Sequence, residues 1–155
     1  MRKIPIGTII ALTLTLSLRA ATPEPPSIAV IVVDPPHCQV GQPDGVEGVN
    51  YSVPPSPHLV IDARAFDFTK SLYPEVRPNA IQLIIGDDRM YSATWNPSGR
   101  SVLSASTLTP INDAPPFGGL TTGDRAIVAI GEQRLDPATN EIILKVLWAG
   151  MVNVK

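Results

Sequence analysis

Few side chains in this sequence have the types and spacing that chemistry demands. His37, Cys38 and His58 supply all of its imidazole and thiol groups. A tetrahedral zinc site needs about four ligands, so a carboxylate would have to complete that set. The two histidines stand beside prolines in a stretch with little periodicity, where solvent-facing loop residues are the expectation. Asp87-Asp88 follows Gly86 between two apolar runs, a position where aspartate caps its own turn; a calcium ion would need more oxygen ligands than this pair offers. Asp62 with Asp67, and Asp124 with Glu132, are the nearest thing to an acid–base couple, yet carboxylates on strands and turns ordinarily form a solvated face. There is no Gly-x-Ser-x-Gly elbow, phosphate-binding glycine loop or His-Glu-x-x-His pair. The expectation is a non-enzymatic protein with no metal or cofactor.

Composition narrows the remaining roles. The chain has 155 residues, a formal charge of −2 and 17% charged residues, and its Lys and Arg are scattered singly. A nucleic-acid surface needs clustered positive charge, so that class is excluded. A lone Cys38 allows no internal disulfide, and the fold must rest on packing, with pairing between chains left open. Seventeen prolines lie mainly between apolar runs and stiffen the loops, each stabilising by about 0.4–1 kcal/mol where the backbone already suits it. With more arginine than lysine, this composition predicts a thermostable or mechanically durable protein.

The elements that would position any functional group read as strands. Leu12, Leu14, Leu16 and Leu18 alternate with Thr13, Thr15, Ser17 and Arg19, the period of an extended strand with one apolar face. Preceded by Arg2 and Lys3 and followed by Ala20-Ala21, the same residues read equally as a secretory signal peptide, although Arg19 or Leu18 would then sit where a small residue belongs before the cut. The run is too short and polar for a stable membrane anchor. Residues 22–27, Thr-Pro-Glu-Pro-Pro-Ser, form a polyproline-type linker, which makes residues 1–27 arm and linker and 28–155 the body. Ile28–Val33 reads as a strand buried on both faces, Leu59–Phe68 as an alternating strand, and Ala80–Ile85, Met90–Trp95 and Ser101–Leu108 as a meander. Residues 37–58 and 109–119 read as long surface loops. Arg125–Gly131, Glu141–Trp148 and Met151–Val154 complete about eight body strands. The predicted fold is all-β, an antiparallel sandwich or barrel with an extended N-terminal β-arm and Pro-rich loops.

Two tryptophans close apolar runs, and Trp95 and Trp148 are expected as core plugs. Phe117, between Pro115-Pro116 and Gly118-Gly119, is expected to be an exposed interface anchor. The arm Leu12-Thr-Leu-Thr-Leu-Ser-Leu18, the Pro-rich loops and the closing Leu147-Trp-Ala-Gly-Met-Val-Asn-Val154 resemble small head-decoration (cement) proteins of tailed phages. That resemblance implies a structural virion protein on the capsid surface, a homo-oligomer, in that family a trimer, clamping the major capsid protein. The arm would exchange strands with neighbouring subunits, its four leucines contributing about 1.5–3 kcal/mol each on burial. The interface is then assigned to Leu12, Leu14, Leu16, Leu18, Pro115, Pro116 and Phe117. If the first residues, to about Ala21, are removed, the alternative is a secreted β-sandwich acting as an adhesive, pilus-like or extracellular envelope protein.

Overall fold

A computed structural model describes residues 29–33, 46–71 and 73–155; the proposed leucine arm, His37 and Cys38 lie outside them. The described chain is an all-β sandwich. Strands β1 (Ala29–Val32), β3 (Leu59–Asp62) and β6 (Arg100–Leu103) form a small sheet in the order β1-β3-β6. The large sheet runs β2-β9-β8-β4-β5-β7, with β2 Val46–Val53, β4 Ala80–Ile85, β5 Arg89–Thr94, β7 Thr109–Ile111, β8 Arg125–Leu135 and β9 Ile142–Val154. One continuous core joins the sheets: Ile31, Leu59, Ile61 and Leu103 of the small sheet meet Ile81, Leu83, Val128, Ile130 and Trp148 of the large one.

Both sheets are mixed, which departs from the antiparallel expectation. β1 runs parallel to β3 and β2 parallel to β9. The local period of two is identical for both pairings and carries no information about direction. The expected meander stops after one hairpin: β4 pairs with β5, but β6 crosses to pair with β3. β1 is not buried on both faces, since Val30 and Val32 are exposed while Ala29 and Ile31 face the core. With Val102 they form an apolar outer face on the small sheet. β3 ends at Asp62 instead of Phe68, because the chain turns there: the Arg64 amide donates to the Asp62 carboxylate and the Phe66 amide to the Ala63 carbonyl, and Asp67 then caps a short 3-10 turn, Phe68–Lys70, by accepting from the Thr69 amide. Two expected loops contain strands, β2 within 37–58 and β7 within 109–119.

Strands β8 and β9 are the longest, and their pairing is broken by a bulge. Ile130 pairs with Trp148 but Gly131 pairs with Val146, which leaves Leu147 as an extra residue. Gly131 is required there: a Cβ on it would collide with the Lys145 carbonyl oxygen and lie 2.9 Å from the carbonyl carbon. Beyond the bulge the pair continues past the end of β4 as a free two-stranded hairpin, as bulges bend and twist the strand that carries them. On the core side of the bulge, Trp148 folds over Gly150, where a Cβ would lie 2.6 and 2.8 Å from ring carbons of the indole. The predicted plug role of Trp148 is therefore met, in mid-strand instead of at a strand end.

The loop bearing Pro115, Pro116 and Phe117 folds inward. The Tyr91 hydroxyl donates to the Pro115 carbonyl at 2.8 Å, and Phe117 packs edge-on against Tyr91 with ring centres 5.6 Å apart. Next to it, Ser56 and Leu120 exchange backbone hydrogen bonds of 3.1 and 2.8 Å. Substituting Gly131→Ala should lower stability by about 2 kcal/mol or more, whereas Gly118→Ala, with nothing within 4 Å of its new methyl, should change it by less than about 0.5 kcal/mol. Urea unfolding of the two variants checks the contrast.

Candidate functional site

The hairpin beyond the bulge curls over the outer face of the large sheet and makes a cleft there. Gln133, Leu135, Ile142 and Leu144 share its inward face, because Gln133 pairs with Leu144 and Leu135 with Ile142. Where β4 ends, Asn79 continues the ladder with its side chain: its Oδ1 accepts from the Gln133 amide at 2.7 Å and its Nδ2 donates to the Gln133 carbonyl at 3.0 Å. The primary amide thus stands in for a missing peptide group and fixes the hairpin's root. On the opposite face the Lys145 ammonium lies 4.8 Å from the centre of the Tyr73 ring.

Gln133 Oε1 accepts from Gln82 Nε2 at 3.1 Å and from the Ser92 hydroxyl at 3.0 Å. This junction binds hairpin, β4 and β5 together on the floor of the cleft. Two neighbouring cavities of about 620 and 460 Å³ share Ile111, Asn112 and Ile142 in their linings. Thr109, Pro110, Ile111 and Asn112 wall the far side, with Met90 beneath. The lining is amide, hydroxyl and aliphatic, and Glu141 is its one charged residue. Such a surface suits neutral polar and aliphatic groups of a partner; it holds no nucleophile paired with a base. At the hairpin's end Leu135, Ile142 and Ile143 are 56%, 48% and 38% exposed.

A second groove, of about 420 Å³, lies at one end of the sandwich between the loop after β3, the residues before β4 and the β5–β6 turn. Phe66, Phe68 and Trp95 form its wall, with ring centres 4.7 Å apart for the first pair and 5.6 Å for the second. Trp95 is therefore a half-buried groove residue and not the core plug expected of it. Arg64 forms a two-pronged pair with Asp62, at 2.9 and 2.7 Å. The Arg64 side chain and amide hold the Asp62 carboxyl down at about 2 from its usual 3.8. Asp67 is likewise lowered, first by the Thr69 hydroxyl and then by the Thr69 amide.

These contacts settle the carboxylates singled out in the sequence. Asp62 and Asp67 are engaged separately, by Arg64 and by Thr69. Asp124 accepts from the Thr121 amide at 2.8 Å and pairs with Arg89 at 3.3 Å, so its partner is not Glu132. Asp87 and Asp88 lie exposed in the β4–β5 turn. His58 is exposed, its backbone amide bonded to Ser56 Oγ at 3.1 Å. Among the described residues no group of three or more His, Cys, Asp or Glu could hold a metal ion, and no helix is long and apolar enough to cross a membrane. Of the predicted interface residues, Leu12, Leu14, Leu16 and Leu18 are outside the described residues, and Pro115 and Pro116 are exposed. Phe117 corrects the expectation: it is 4% exposed and belongs to the core. A phenylalanine among prolines and glycines looks exposed in sequence, but the Tyr91–Pro115 bond turns its loop inward. The hairpin aliphatics were missed because the β9 pattern runs through Glu141–Trp148 without signalling where β4 stops. Comparisons with protein families, curated proteins and solved structures returned no match.

Replacing Gln133 with Leu should leave the buried Gln82 amide without its acceptor and cost about 1–3 kcal/mol, with faster amide exchange confined to residues 133–144; exchange measured by mass spectrometry checks this. For Asp62, the folded-state value lies below the unfolded one, so its contribution is present above pH 3.8 and lost as pH falls toward 2. A carboxyl NMR titration should show a midpoint of about 2, moving up toward the ordinary value in Arg64→Gln.

Proposed function

We propose that the protein is a non-catalytic structural module that docks on a larger assembly, with the β8–β9 hairpin as its contact arm. One observation carries this reading: the hairpin projects beyond β4 and keeps Leu135, Ile142 and Ile143 in solvent above a cleft whose one lining charge is Glu141. Aliphatic side chains on a projecting element lose contact with water only when a partner covers them, at about 25 cal/mol per Å² of apolar surface. The exposed valine face of the small sheet offers a second surface of the same kind.

Capsid decoration is the most concrete form of this proposal. In it the protein sits on the surface of a virion as a homo-oligomer, a trimer by the resemblance of the chain ends, against the major capsid protein. Its support is the β-sandwich architecture, the apolar arm sequence and the projecting hairpin. Binding only to the assembled shell would stabilise that shell by linkage.

The test is fractionation of the protein from its native source, combined with the intact mass of the recovered chain. Recovery with large particles and an unprocessed N-terminus is the expected result. Ile142→Asp combined with Ile143→Asp, both at exposed positions, should keep the far-UV spectrum and lose the particle-bound fraction at least tenfold. Recovery as a free monomer overturns the assembly role. Loss of about twenty residues while particle binding persists would replace the virion setting with the secreted, envelope-type one.

A further inference from the structure

The aromatic groove is a site the hairpin reading does not use. We propose that it binds an acidic polyproline-type segment, residues 22–27 (Thr-Pro-Glu-Pro-Pro-Ser) of a neighbouring copy. The groove is walled by Phe66, Phe68 and Trp95 and flanked by Pro97, and the Phe68 and Trp95 rings stand nearly perpendicular, at 84°. The rings pack edge to face into one continuous aromatic wall, the kind of surface on which proline-rich segments dock, and such segments lose little entropy on ordering because proline restricts them to extended conformations.

Charge selects among proline-containing ligands. Arg64 is neutralised by Asp62. Arg77 is different: its Nη1 donates to the Pro74 and Val76 carbonyls at 2.7 and 3.1 Å, which orients the guanidinium and leaves Nε and Nη2 without a protein partner among the described residues. The carboxylate of Asp67, on the same loop, is held by Thr69 at 2.6 Å through the hydroxyl. The groove therefore presents an oriented guanidinium, close enough to act on the Asp67 carboxylate but with Nε and Nη2 donors unused, beside an aromatic wall. In residues 22–27 a single carboxylate, Glu24, sits between Pro23 and Pro25, the same combination on the ligand side. A charge-assisted contact of this kind is stronger than a neutral one.

Register favours delivery by a second copy. Ala29 pairs with Leu59, whereas the groove begins at Ala63, beyond the opposite end of β3. At about 3.3 Å per residue, the chain enters β1 a full strand length from the groove. Residues 22–27 remain in the chain whether or not the first twenty-one are removed, so this contact is independent of that question and of the hairpin.

A peptide of residues 20–28 titrated into the full-length protein provides the test, read by tryptophan fluorescence, to which the half-buried Trp95 responds. Saturable binding is expected, weakened about tenfold in Arg77→Glu and restored when the peptide carries Glu24→Lys. Arg77 is exposed, so the variant keeps its fold, and the peptide change never touches the folded protein. In the full chain, sedimentation velocity should show concentration-dependent self-association that Glu24→Lys weakens and the Glu24→Lys, Arg77→Glu pair restores. Binding indifferent to the charge swap, or a chain that stays monomeric at millimolar concentration, overturns the proposal. Ile142→Asp should leave peptide affinity unchanged, which separates this contact from the hairpin's.

Discussion

The backbone of Lys145 lies so close to Gly131 that no side chain fits between them. That approach creates the bulge at Leu147, and the bulge divides β8 and β9 into two working halves. On one side the strands belong to the sandwich and bury Val128, Ile130, Trp148 and Val152. On the other they leave the sheet as a hairpin whose inward face is set by the change of register. Had the pairing run on without the extra residue, every β9 side chain of the hairpin would point to the opposite face.

The core depends on a related substitution of space. Gly150 supplies no side chain, and the Trp148 indole occupies the volume above it, edge-on to Tyr51 with ring centres 6.1 Å apart. The ring is fully buried and its Nε1 has no hydrogen-bond acceptor among the described residues, so packing is what holds it there. An unpaired buried donor costs about 1–3 kcal/mol, comparable to what burying one large apolar side chain contributes. Shape at Gly150 therefore decides whether that tryptophan stabilises the sandwich.

Polar groups outside the core act mainly as substitutes for missing backbone. The Asn79 amide extends the β4 ladder, Gln133 Oε1 gathers Gln82 and Ser92, and Asp67 and Asp124 cap turns. These roles explain why amides and carboxylates are present without forming a catalytic constellation in the described residues. They also rigidify the two concave surfaces, the largely uncharged cleft below the hairpin, with Glu141 its one charge, and the aromatic groove at the sandwich end. Rigid surfaces of contrasting chemistry can engage different partners without competing.

Much of the strand content was legible from sequence alone. Alternation from Leu59 and apolar runs bounded by turn formers at Ala80–Ile85, Met90–Thr94 and Arg125–Gly131 mark strands because each must bury side chains in the core. Composition likewise required a packed fold, since a lone Cys38 allows no internal disulfide. Tertiary structure alone decided which strands pair, and in which direction: β1 with β3 and β2 with β9 run parallel, and β6 leaves β5 for the other sheet. It also placed Phe117 inside through the Tyr91–Pro115 hydrogen bond and brought Phe66, Phe68, Trp95 and Arg77 into one groove from three separate segments. The physical reason is range. Alternation records which face of a strand meets the core, whereas partner, direction and the point at which one strand outruns its neighbour depend on contacts between residues far apart in the chain.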